Sequence, residues 1–392
     1  MNEIFTFNKL YSAYLDCRET KRKTVNALKF EYNLERNLSL LQRELETKKY
    51  YPGRSICFVV KDPSPREIFA ASFRDRVVHH ILVREVGAMG ERGFIFDTFS
   101  CRKNKGTHSA IKRLRSIIKK ITKNNRERVF SIQLDISGFF MSIDRNILYS
   151  LFKKLILKQN KSFQWKEDIL WLAKTIIFHK PTQDYVIKGN PSLFDLIPPR
   201  KSLFDSPEGK GLPIGNYSSQ FFANLCLNEL DQFVKRELKC RYYIRYVDDF
   251  ILLDRNEQKL KDFEGKINLF LNTHLNLELN LNKTKLRPTN MGIDFLGYFV
   301  KPDYVLVRRR VVRRLKSKLK AGMLRVNNDK CYNGKIDTDK SKEMLATINS
   351  YYGHFGHAFS FNLRKDVYEN HLGILKEAYL PKANYLSLKH AE

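Results

Sequence analysis

The sequence has few acidic side chains for its length of 392 residues, and this shortage is its first informative feature. It contains 42 Asp and Glu residues against 71 Lys and Arg, which gives a formal net charge of +29. The basic excess is spread along the chain instead of being confined to one tail, so it indicates a folded surface that binds a large polyanion. Nucleic acid is the first candidate for that polyanion, and an anionic membrane surface is the second.

Other absences narrow the class of protein further. No apolar run approaches the roughly 20 residues that a membrane-spanning helix needs, so no membrane-spanning segment is expected. With nucleic acid as the first candidate, we expect no membrane partner. The six cysteines include no CxxC pair, which argues against a zinc site and favours reduced thiols. The start of the sequence lacks the features of a secretion signal, and no Walker A loop occurs. With 43% apolar residues, we expect a globular, cytoplasmic protein.

The stretch Tyr243–Leu252 (YIRYVDDFIL) contains the adjacent carboxylates Asp248 and Asp249. Strand-forming residues on both sides of this polar pair predict a tight β-hairpin with the two aspartates at its tip. Neighbouring carboxylates repel each other, and a divalent cation relieves that repulsion because its preferred ligands are hard oxygen atoms. Considered alone, the pair could also be a solvated turn.

A third carboxylate, Asp135, ends a predicted strand at 129–135. A strand end and a hairpin tip can lie side by side in one antiparallel sheet, so the three carboxylates can converge. Two metal ions about 3.5–4 Å apart need shared carboxylates of this kind, and such a site catalyses nucleotidyl transfer. Lys and Arg side chains from neighbouring elements would neutralise a bound triphosphate.

The remaining apolar patterns predict the other helices and strands. Helices are predicted at 1–50, at 69–86, from His108, as a pair after 150, at 221–238, at 257–275, at 308–320 and over 340–392. Strands are predicted at 55–61, at 129–135, at 275–286 and at 293–300, and a long loop rich in Pro and Lys precedes 212. The 308–320 helix carries eight Lys or Arg residues, so its polar face is either a solvated surface or a track for nucleic acid.

Several motifs together resemble those of bacterial reverse transcriptases. They are Asp135 with Phe140 five residues later, LPIGNYSSQ (212–220), YVDD (246–249), LNLNKTK (279–285) and DFLGY (294–298). Their order and approximate spacing are most like those of the diversity-generating retroelement type, and the defence-associated "unknown group" enzymes are also similar. The resemblance implies an α+β right-hand polymerase. It would have N-terminal helices and fingers (1–128), a palm of antiparallel sheet with helices (129–300, with an insertion at about 155–211) and a helical thumb (301–392).

The resemblance also implies roles for individual residues. Asp135, Asp248 and Asp249 would be catalytic and would bind two Mg²⁺ ions, or Mn²⁺, together with the backbone carbonyl of Ile136. The predicted nucleotide-binding residues are Arg66, Arg76, Phe140, Ile214, Gly215, Gln220 and Lys283, with Phe140 rejecting ribonucleotides by a clash with the 2′-hydroxyl. The predicted primer grip is Phe295, Leu296 and Gly297. Independently of the resemblance, the basic loop before the helix from His108 and the basic 308–320 helix predict nucleic-acid contacts at Arg102, Lys103, Lys105, Arg309, Arg310, Arg313 and Arg314.

The implied activity is that of an RNA-directed DNA polymerase, which copies a cognate structured noncoding RNA into cDNA from a DNA or RNA primer and dNTPs. Many retroviral and group II intron enzymes carry Gln where this chain has Ile214 and Pro where it has Gln220, and both differences match the diversity-generating type. Because an Ile214 side chain cannot hydrogen-bond to a nucleotide, error-prone copying is expected, unless Ile214 only packs. The alternatives are an antiphage defence enzyme that acts with a noncoding RNA and a non-catalytic RNA-binding scaffold. An accessory protein or a homo-oligomer remains open.

Overall fold

The computed structural model of the chain describes residues 3–391 with gaps at 20, 23, 63 and 334–337, and it describes the backbone alone at 324–333 and 338. The described part is a mixture of helices and strands, as expected for an α+β fold. The α-helices are α1 (Phe7–Arg18), α2 (Val25–Tyr32), α3 (Leu34–Glu46), α4 (Phe73–Gly93), α5 (Thr107–Ile121), α6 (Phe139–Ser142), α7 (Arg145–Leu157), α8 (Phe163–Ile177), α9 (Tyr217–Gln232), α10 (Glu257–Phe270), α11 (Arg309–Asn333), α12 (Thr338–Phe355) and α13 (Phe361–His371). The strands are β1 (Ser55–Val60), β2 (Arg66–Ala70), β3 (Phe130–Asp135), β4 (Tyr185–Ile187), β5 (Tyr242–Tyr246), β6 (Asp249–Asp254), β7 (Lys285–Pro288), β8 (Ile293–Phe295), β9 (Tyr298–Val300), β10 (Val305–Val307), β11 (Tyr379–Lys382) and β12 (Ser387–His390).

The strands of the described residues form four sheets. One sheet has the order β2-β1-β4, in which β1 is antiparallel to β2 and parallel to β4. The second has the order β5-β6-β3-β7, the third has the antiparallel order β10-β9-β8, and β11 pairs with β12. The Pro- and Lys-rich stretch 197–211, predicted as a long loop, contains as regular structure only a 3-10 turn at Pro199–Lys201. Strand β4 lies before this stretch and was not predicted. A strand of three residues between turns is too short to give a recognisable pattern.

Capping side chains explain where several helices begin, because each accepts a hydrogen bond from a backbone N–H that the helix itself cannot satisfy. They are Thr6 before α1, Ser72 before α4, Asp144 before α7 and Ser162 before α8. The predicted helix at 69–86 therefore starts too early, since Phe69 and Ala70 belong to β2. The single helix predicted over 1–50 is also wrong in detail, because Asn33 leaves the helical conformation between α2 and α3 (φ −124°, ψ 48°).

The first of two compact units comprises Met1–Asn104, Gln133–Leu252 and Lys261–Lys285. Within it α4 packs against α1, α8 and α9, and α7 packs against α8 and α9. Large side chains that fill its core include Trp165, Phe152 and Phe222. This packing supports the β5–β6 hairpin, since α9 and the short helical segment after it, Phe233–Glu237, lead into the hairpin.

The second unit comprises Lys105–Ile132, Leu253–Leu260 and Leu286–Glu392. Here α11 packs against α12 and α13, and the core includes Leu315, Leu319, Tyr352 and Phe355. The helical prediction for 340–392 is wrong at its end, where β11 and β12 form a hairpin. Its turn residues, 383–385, all have positive φ, which a helical pattern cannot accommodate.

The strand predicted at 275–286 is mostly absent from the structure. Asn276 takes a left-handed conformation (φ 54°) after the helical segment that follows α10, and Leu281–Lys283 forms a 3-10 turn. The alternating pattern has another origin: Leu277 and Leu279 are buried, and Leu279 forms an isolated bridge with Ile136. Only β7, at the end of this stretch, is a strand of the sheet.

The predicted division into parts at 128 and 300 stays a prediction, because the two compact units are each built from several separate segments. Among the described residues, no helix combines the length and the apolar character that crossing a membrane requires.

Candidate active site

The predicted hairpin around the two aspartates is confirmed. Strands β5 and β6 are joined by only Val247 and Asp248, so Asp248 lies in the turn and Asp249 is the first residue of β6. Ile244 on β5 and Phe250 on β6 are fully buried, which fixes the hairpin to the core. Both carboxylates are half-buried. The hairpin thus presents two acidic side chains from a rigid turn.

The third carboxylate lies beside this hairpin. Asp135 is the last residue of β3, and β3 is the neighbour of β6 in the sheet. Two residues earlier on β3, the Nε2 atom of Gln133 donates to Oδ1 of Asp249 at 3.2 Å. The Nζ atom of Lys283 donates to Oδ2 of Asp135 at 2.5 Å. The structure therefore brings the three predicted catalytic carboxylates and Lys283 into one cluster, and their catalytic role remains a prediction.

The electrostatics of the cluster show that its negative charges are poorly compensated. Burial, followed by the charges of Asp248 and Asp135, raises the pKa of Asp249 to about 7 despite the hydrogen bond from Gln133. Burial and Asp135 raise the pKa of Asp248 to about 6. Lys283 opposes both shifts but is only one positive charge. Carboxylates in such an environment gain from a nearby cation, because it favours their ionised form.

The donor chemistry of the cluster fits a divalent cation such as Mg²⁺, which prefers carboxylate and carbonyl oxygen ligands. Ile136, whose carbonyl is the predicted fourth ligand, directly follows Asp135 and is buried. No set of three His, Cys, Asp or Glu side chains stands at metal-ligand spacing in the described part of the chain. One oxygen of Asp135 is bound by Lys283, so a cation here would share that carboxylate with the ammonium group.

Two of the predicted nucleotide-binding residues border one apolar cluster. Phe140, on α6, and Ile214 both pack against the buried side chains of Cys57, Phe69, Met141 and Leu203. The carbonyl of Ile214 accepts a hydrogen bond from the backbone N–H of Phe69 at 2.9 Å. Ile214 is thus held against β2 by both its backbone and its side chain.

Gly215 lies where no other residue fits. Its φ is +121°, and a Cβ atom there would stand 2.7 Å from Cγ2 of Ile68 and 3.2 Å from the carbonyl oxygen of Phe69. A side chain would therefore push the 212–216 turn away from β2. The close approach at Gly215 is to β2, and its contact with a nucleotide stays a prediction.

The other predicted nucleotide-binding residues lie on separate elements. Arg66 begins β2 opposite Val60 and is half-buried, and Gln220 is exposed on α9. Arg76 lies on α4 next to Cys17 of α1, and burial lowers the pKa of its guanidinium. The structure joins Lys283 directly to the carboxylates, whereas Arg76 faces the N-terminal helix.

The predicted primer-grip residues lie together in the second unit. Phe295 ends β8, and Leu296 and Gly297 form the two-residue loop to β9, with Phe295 paired to Tyr298. Both loop residues have positive φ, 50° and 86°. The hydroxyl of Tyr298 donates to the carbonyl of His354 at 2.8 Å and also contacts Nδ1 of His108 and of His354.

The predicted nucleic-acid contacts differ in their exposure. Arg102 is almost buried: its guanidinium binds Glu91 and the carbonyls of Ile95 and Thr98. These contacts leave little of Arg102 for a phosphate. Lys103 is exposed and Lys105 is partly exposed. On α11, Arg309, Arg310 and Arg313 are exposed and Arg314 is half-buried. Leu315 and Leu319 of the same helix are buried in the core.

Sequence reasoning missed a buried polar network beneath the hairpin. Arg245 of β5 is 1% exposed, and its guanidinium forms a two-pronged ion pair with Asp231 of α9, which is completely buried. Asn224 and the hydroxyl of Tyr243 complete the network. The sequence did contain a signal for this network: Arg245 lies in an apolar strand, two residues after Tyr243. A charged side chain buried there needs a partner. Gln133 was missed as well.

Comparisons with known proteins identify a family and two relatives. The family described as "Reverse transcriptase (RNA-dependent DNA polymerase)" matches residues 60–300. Protein YkfC of Escherichia coli (strain K12) is 23% identical over 309 residues, which cover 70% of this chain and 74% of that protein. The putative COX1/OXI3 intron 2 protein of Saccharomyces cerevisiae is 33% identical over 67 residues, 17% of this chain and 8% of that protein.

Among solved structures, two telomerases are similar at low identity. The telomerase of Candida albicans in complex with a fragment of telomeric RNA has a TM-score of 0.48 and 11% identity and covers 84% of this chain. A C-terminally truncated apo telomerase of Candida tropicalis has a TM-score of 0.45 and 15% identity and covers 65% of this chain. The chain spans 61% and 55% of these two solved chains.

The family match extends over more than half of the chain and includes β3, α9 and the β5–β6 hairpin. The predicted fold class, an α+β right-hand polymerase, and the predicted enzyme class are therefore confirmed. This chain belongs to the reverse transcriptase family of RNA-dependent DNA polymerases.

Proposed function

We propose that this chain extends a primer with deoxynucleotides on an RNA template, and that Asp135, Asp248 and Asp249 form its catalytic centre. The observation that carries the proposal is the convergence of these carboxylates at a hairpin turn and the end of a neighbouring strand, two of them with a raised pKa. Nucleotidyl transfer uses such a cluster to hold two metal ions. The net charge of +29 supports a nucleic acid as the partner.

In the proposed centre, the three carboxylates and the carbonyl of Ile136 hold two Mg²⁺ ions, for which Mn²⁺ can substitute. When bound, these ions activate the primer hydroxyl and stabilise the leaving pyrophosphate. The protein's own contribution is to position and to neutralise. Gln133 orients Asp249 through its amide, and the ammonium of Lys283 adds positive charge where the triphosphate enters.

Selection of the nucleotide is proposed to depend on the apolar cluster beside the centre. Phe140 would exclude a 2′-hydroxyl by its size, and the shape of that surface depends on Ile214 and Gly215, which are anchored to β2. Arg66 and Gln220 would contact the incoming nucleotide. Arg76 is the weakest member of the proposed set, since it faces α1.

The nucleic acid is proposed to contact the second unit and the basic loop before α5. The loop Leu296–Gly297 with Phe295 would hold the primer terminus, and the exposed basic residues of α11 would contact phosphates. Lys103 and Lys105 are candidates for the same role. The binding should weaken steeply with salt, because each phosphate contact releases condensed counterions.

A primer-extension assay with a homopolymeric RNA template, a DNA primer and one dNTP tests the proposal. The isosteric variants Asp135→Asn, Asp248→Asn and Asp249→Asn should each lose almost all incorporation, and Asp195→Asn, at an exposed site in the same unit, should keep it. Retention of template binding by the inactive variants would separate catalysis from folding. Full incorporation by Asp248→Asn would refute the assigned centre.

For the biological role we propose error-prone copying of a cognate structured noncoding RNA in a diversity-generating retroelement. Ile214 and Gln220 support this proposal through the family resemblance, and Ile214 offers a nucleotide no hydrogen-bonding group. The second candidate is antiphage defence with a noncoding RNA, and a non-catalytic scaffold is the third. A template repeat with a matching variable repeat beside the gene would favour the first, and phage protection beside a lone structured RNA the second. A scaffold would keep its cellular activity in Asp248→Asn.

The fidelity proposal has a direct test. Ile214→Gln should lower the misincorporation frequency measured by sequencing cDNA made in vitro, because the amide can hydrogen-bond to the nucleotide. Ile214→Val, which keeps an apolar side chain, is the matched control. An unchanged error spectrum in Ile214→Gln would mean that Ile214 only packs against the cluster around Phe69.

A further inference from the structure

The turn that carries the catalytic carboxylates contains a residue in an unfavourable backbone conformation. Val247 has a φ of 54°, which L-residues avoid and which β-branched residues adopt only as outliers. A two-residue hairpin turn needs positive φ at its first central position and usually has glycine or asparagine there. This chain has neither, so the conformation of the Val247–Asp248 turn must be imposed by its surroundings.

Arg245 is the side chain that contacts the strained segment. Its Nη1 atom donates to the carbonyl of Val247 at 2.9 Å, and its Nε and Nη2 atoms donate to Asp231 at 2.8 and 2.6 Å. Nη1 also approaches Oδ1 of Asn224 at 3.4 Å. A planar guanidinium can make these contacts simultaneously, whereas a lysine ammonium cannot match the fork.

The guanidinium is itself held rigidly. Asp231 lies on α9 and accepts a further hydrogen bond from the hydroxyl of Tyr243 at 2.7 Å. The backbone of Arg245 is tied on both sides, since its N–H donates to Asp97 and its carbonyl accepts from Phe99. The carbonyl of Val247 is therefore connected, through one rigid side chain, to the core helix beneath the hairpin.

Stability alone does not explain this arrangement. A fully buried ion pair is weakly favourable at best, because removing two charges from water costs about as much as their attraction returns, and apolar replacements are often as stable. A buried pair whose cation also binds the carbonyl next to a catalytic residue has a second use. It fixes the peptide from which Asp248 and Asp249 project.

We infer that Arg245 is a positioning residue of the polymerase centre: its guanidinium, oriented by Asp231, holds the Val247 carbonyl and thereby sets the direction of the Asp248 and Asp249 side chains. This inference rests on the proposed function. It assigns Arg245 no contact with substrate.

The test replaces the network by apolar residues of similar size. In Asp231→Leu/Tyr243→Phe/Arg245→Met no buried charge remains without a partner, so the variant should unfold at a temperature close to that of the wild type. Its kcat for nucleotide incorporation should fall by about 10²-fold, because small displacements of catalytic groups have effects of that size. The KM for template–primer should not change.

A rescue experiment separates positioning from any other role. Adding Val247→Gly to the triple variant removes the steric cost of positive φ, so the turn can adopt its conformation without the arginine. Part of the lost kcat should return. Val247→Gly in the wild-type background is the control and should have a small effect. A stable triple variant with normal kcat, or a quadruple variant without any recovery, would overturn the inference.

A second readout keeps this test independent of the proposed function. Mn²⁺ titrations followed by electron paramagnetic resonance should show weaker binding in the triple variant than in the wild type, with recovery on adding Val247→Gly. If the wild type binds Mn²⁺ but extends no primer, the proposed function fails while the positioning role is still decided by the titration. Should the triple variant not fold, Arg245→Lys provides the same measurements, and equal Mn²⁺ binding and kcat in that variant would contradict the inference.

Discussion

Two hairpins with two-residue turns, among the described residues, place a branched aliphatic side chain at positive φ, and they hold it in different ways. In the β5–β6 hairpin Val247 has a φ of 54°, and in the β8–β9 hairpin Leu296 has a φ of 50°. The first turn has no glycine and is clamped by the buried guanidinium of Arg245. In the second turn Leu296 is followed by Gly297 (φ 86°), and the neutral rings of Tyr298 and His354 lie beside this turn.

The difference follows from the residue types in each turn. A glycine at the second position makes half of the β8–β9 turn free of steric cost, so packing and one backbone hydrogen bond, from Arg308 to the carbonyl of Gly297, are sufficient. The second position of the β5–β6 turn is occupied by Asp248. A glycine there would lack the carboxylate that is proposed to bind metal. The chain thus has a buried charged side chain at the turn in which Asp248, a proposed metal ligand, occupies the position that Gly297 takes in the other turn.

The largest loss of stability is expected when one partner of the buried Arg245–Asp231 ion pair is removed and the other stays. Arg245→Met leaves the carboxylate of Asp231 buried without its cation, and such changes cost about 3–5 kcal/mol of unfolding free energy. Urea denaturation followed by circular dichroism measures this loss. The corresponding change in an exposed pair of the same unit, Arg54→Met beside Asp184, should cost at most about 1 kcal/mol. Equal losses in the two variants would mean that burial does not determine the effect.

The β8–β9 hairpin, which has no buried ion pair in its turn, should lose less stability on mutation, but its stability should still depend on Gly297. In Gly297→Ala a methyl group at φ 86° would lie 3.3 Å from the His354 ring, so strain of about 1–3 kcal/mol is expected. Faster hydrogen exchange in the peptide covering 293–300 would report it. Gly353→Ala, in α12 with open space around the added methyl group, is the matched control and should slow exchange or leave it unchanged.

The half-buried histidines beside the β8–β9 turn, His108 and His354, also predict that the stability of the second unit depends on pH. Burial, together with the neighbouring imidazoles of His357 and His354 and the ammonium of Lys112, lowers the pKa of His108, and burial with His357 lowers that of His354. The unfolded chain therefore binds protons first at these two histidines. Their contribution to stability should fall as the pH drops below about 6.5 and should be constant above it. Tyr298 is the other titratable group of this cluster, and its raised pKa keeps it neutral.

The measurement is the unfolding free energy at about pH 7.5 and about pH 5.5. His108→Gln, which keeps a polar partner for Tyr298, should lose less stability between the two values than the wild type. His274→Gln, at an exposed helix end in the first unit, is the control and should behave as the wild type does. An identical loss in His108→Gln would show that this cluster does not cause the dependence.

The two hairpins also show what could be predicted from the sequence. The β5–β6 hairpin was located correctly, because strand formers around a short polar pair determine a tight turn locally. The stretch 293–300 was predicted as one strand, and this prediction is wrong, since Leu296 and Gly297 form a turn between β8 and β9. Asp135 could be placed beside the first hairpin from the order of the motifs. The clamp could not be predicted, since Arg245 and Asp231 are on different elements and their pairing depends on how α9 packs beneath β5.

The wrong strand prediction at 275–286 and the unforeseen contacts of Arg102 share this cause. Leu277 and Leu279 alternate like strand residues and are buried, but they lie in an irregular segment. This segment joins the end of β3 and the residues after it through the Leu279–Ile136 bridge and two further backbone hydrogen bonds. Arg102 was predicted to bind phosphate from its basic neighbours, and only the tertiary structure shows that Glu91 and two carbonyls already bind its guanidinium. When a residue's partner is distant in sequence, the local pattern shows which contacts its side chain can make but not which contact it makes in the fold.

The smallest effect expected from the comparison is a stabilising one. Asn tolerates positive φ at the first position of a two-residue turn much better than Leu, so Leu296→Asn should slow hydrogen exchange across 293–300 by an amount that corresponds to no more than about 1 kcal/mol. Val247→Asn should stabilise the first hairpin less, because the clamp already holds that turn and the substitution removes a half-buried side chain. If Val247→Asn were the more stabilising of the two, the guanidinium of Arg245 would not be relieving the strain at Val247, and the contrast between a charged clamp and a neutral one would lose its physical basis.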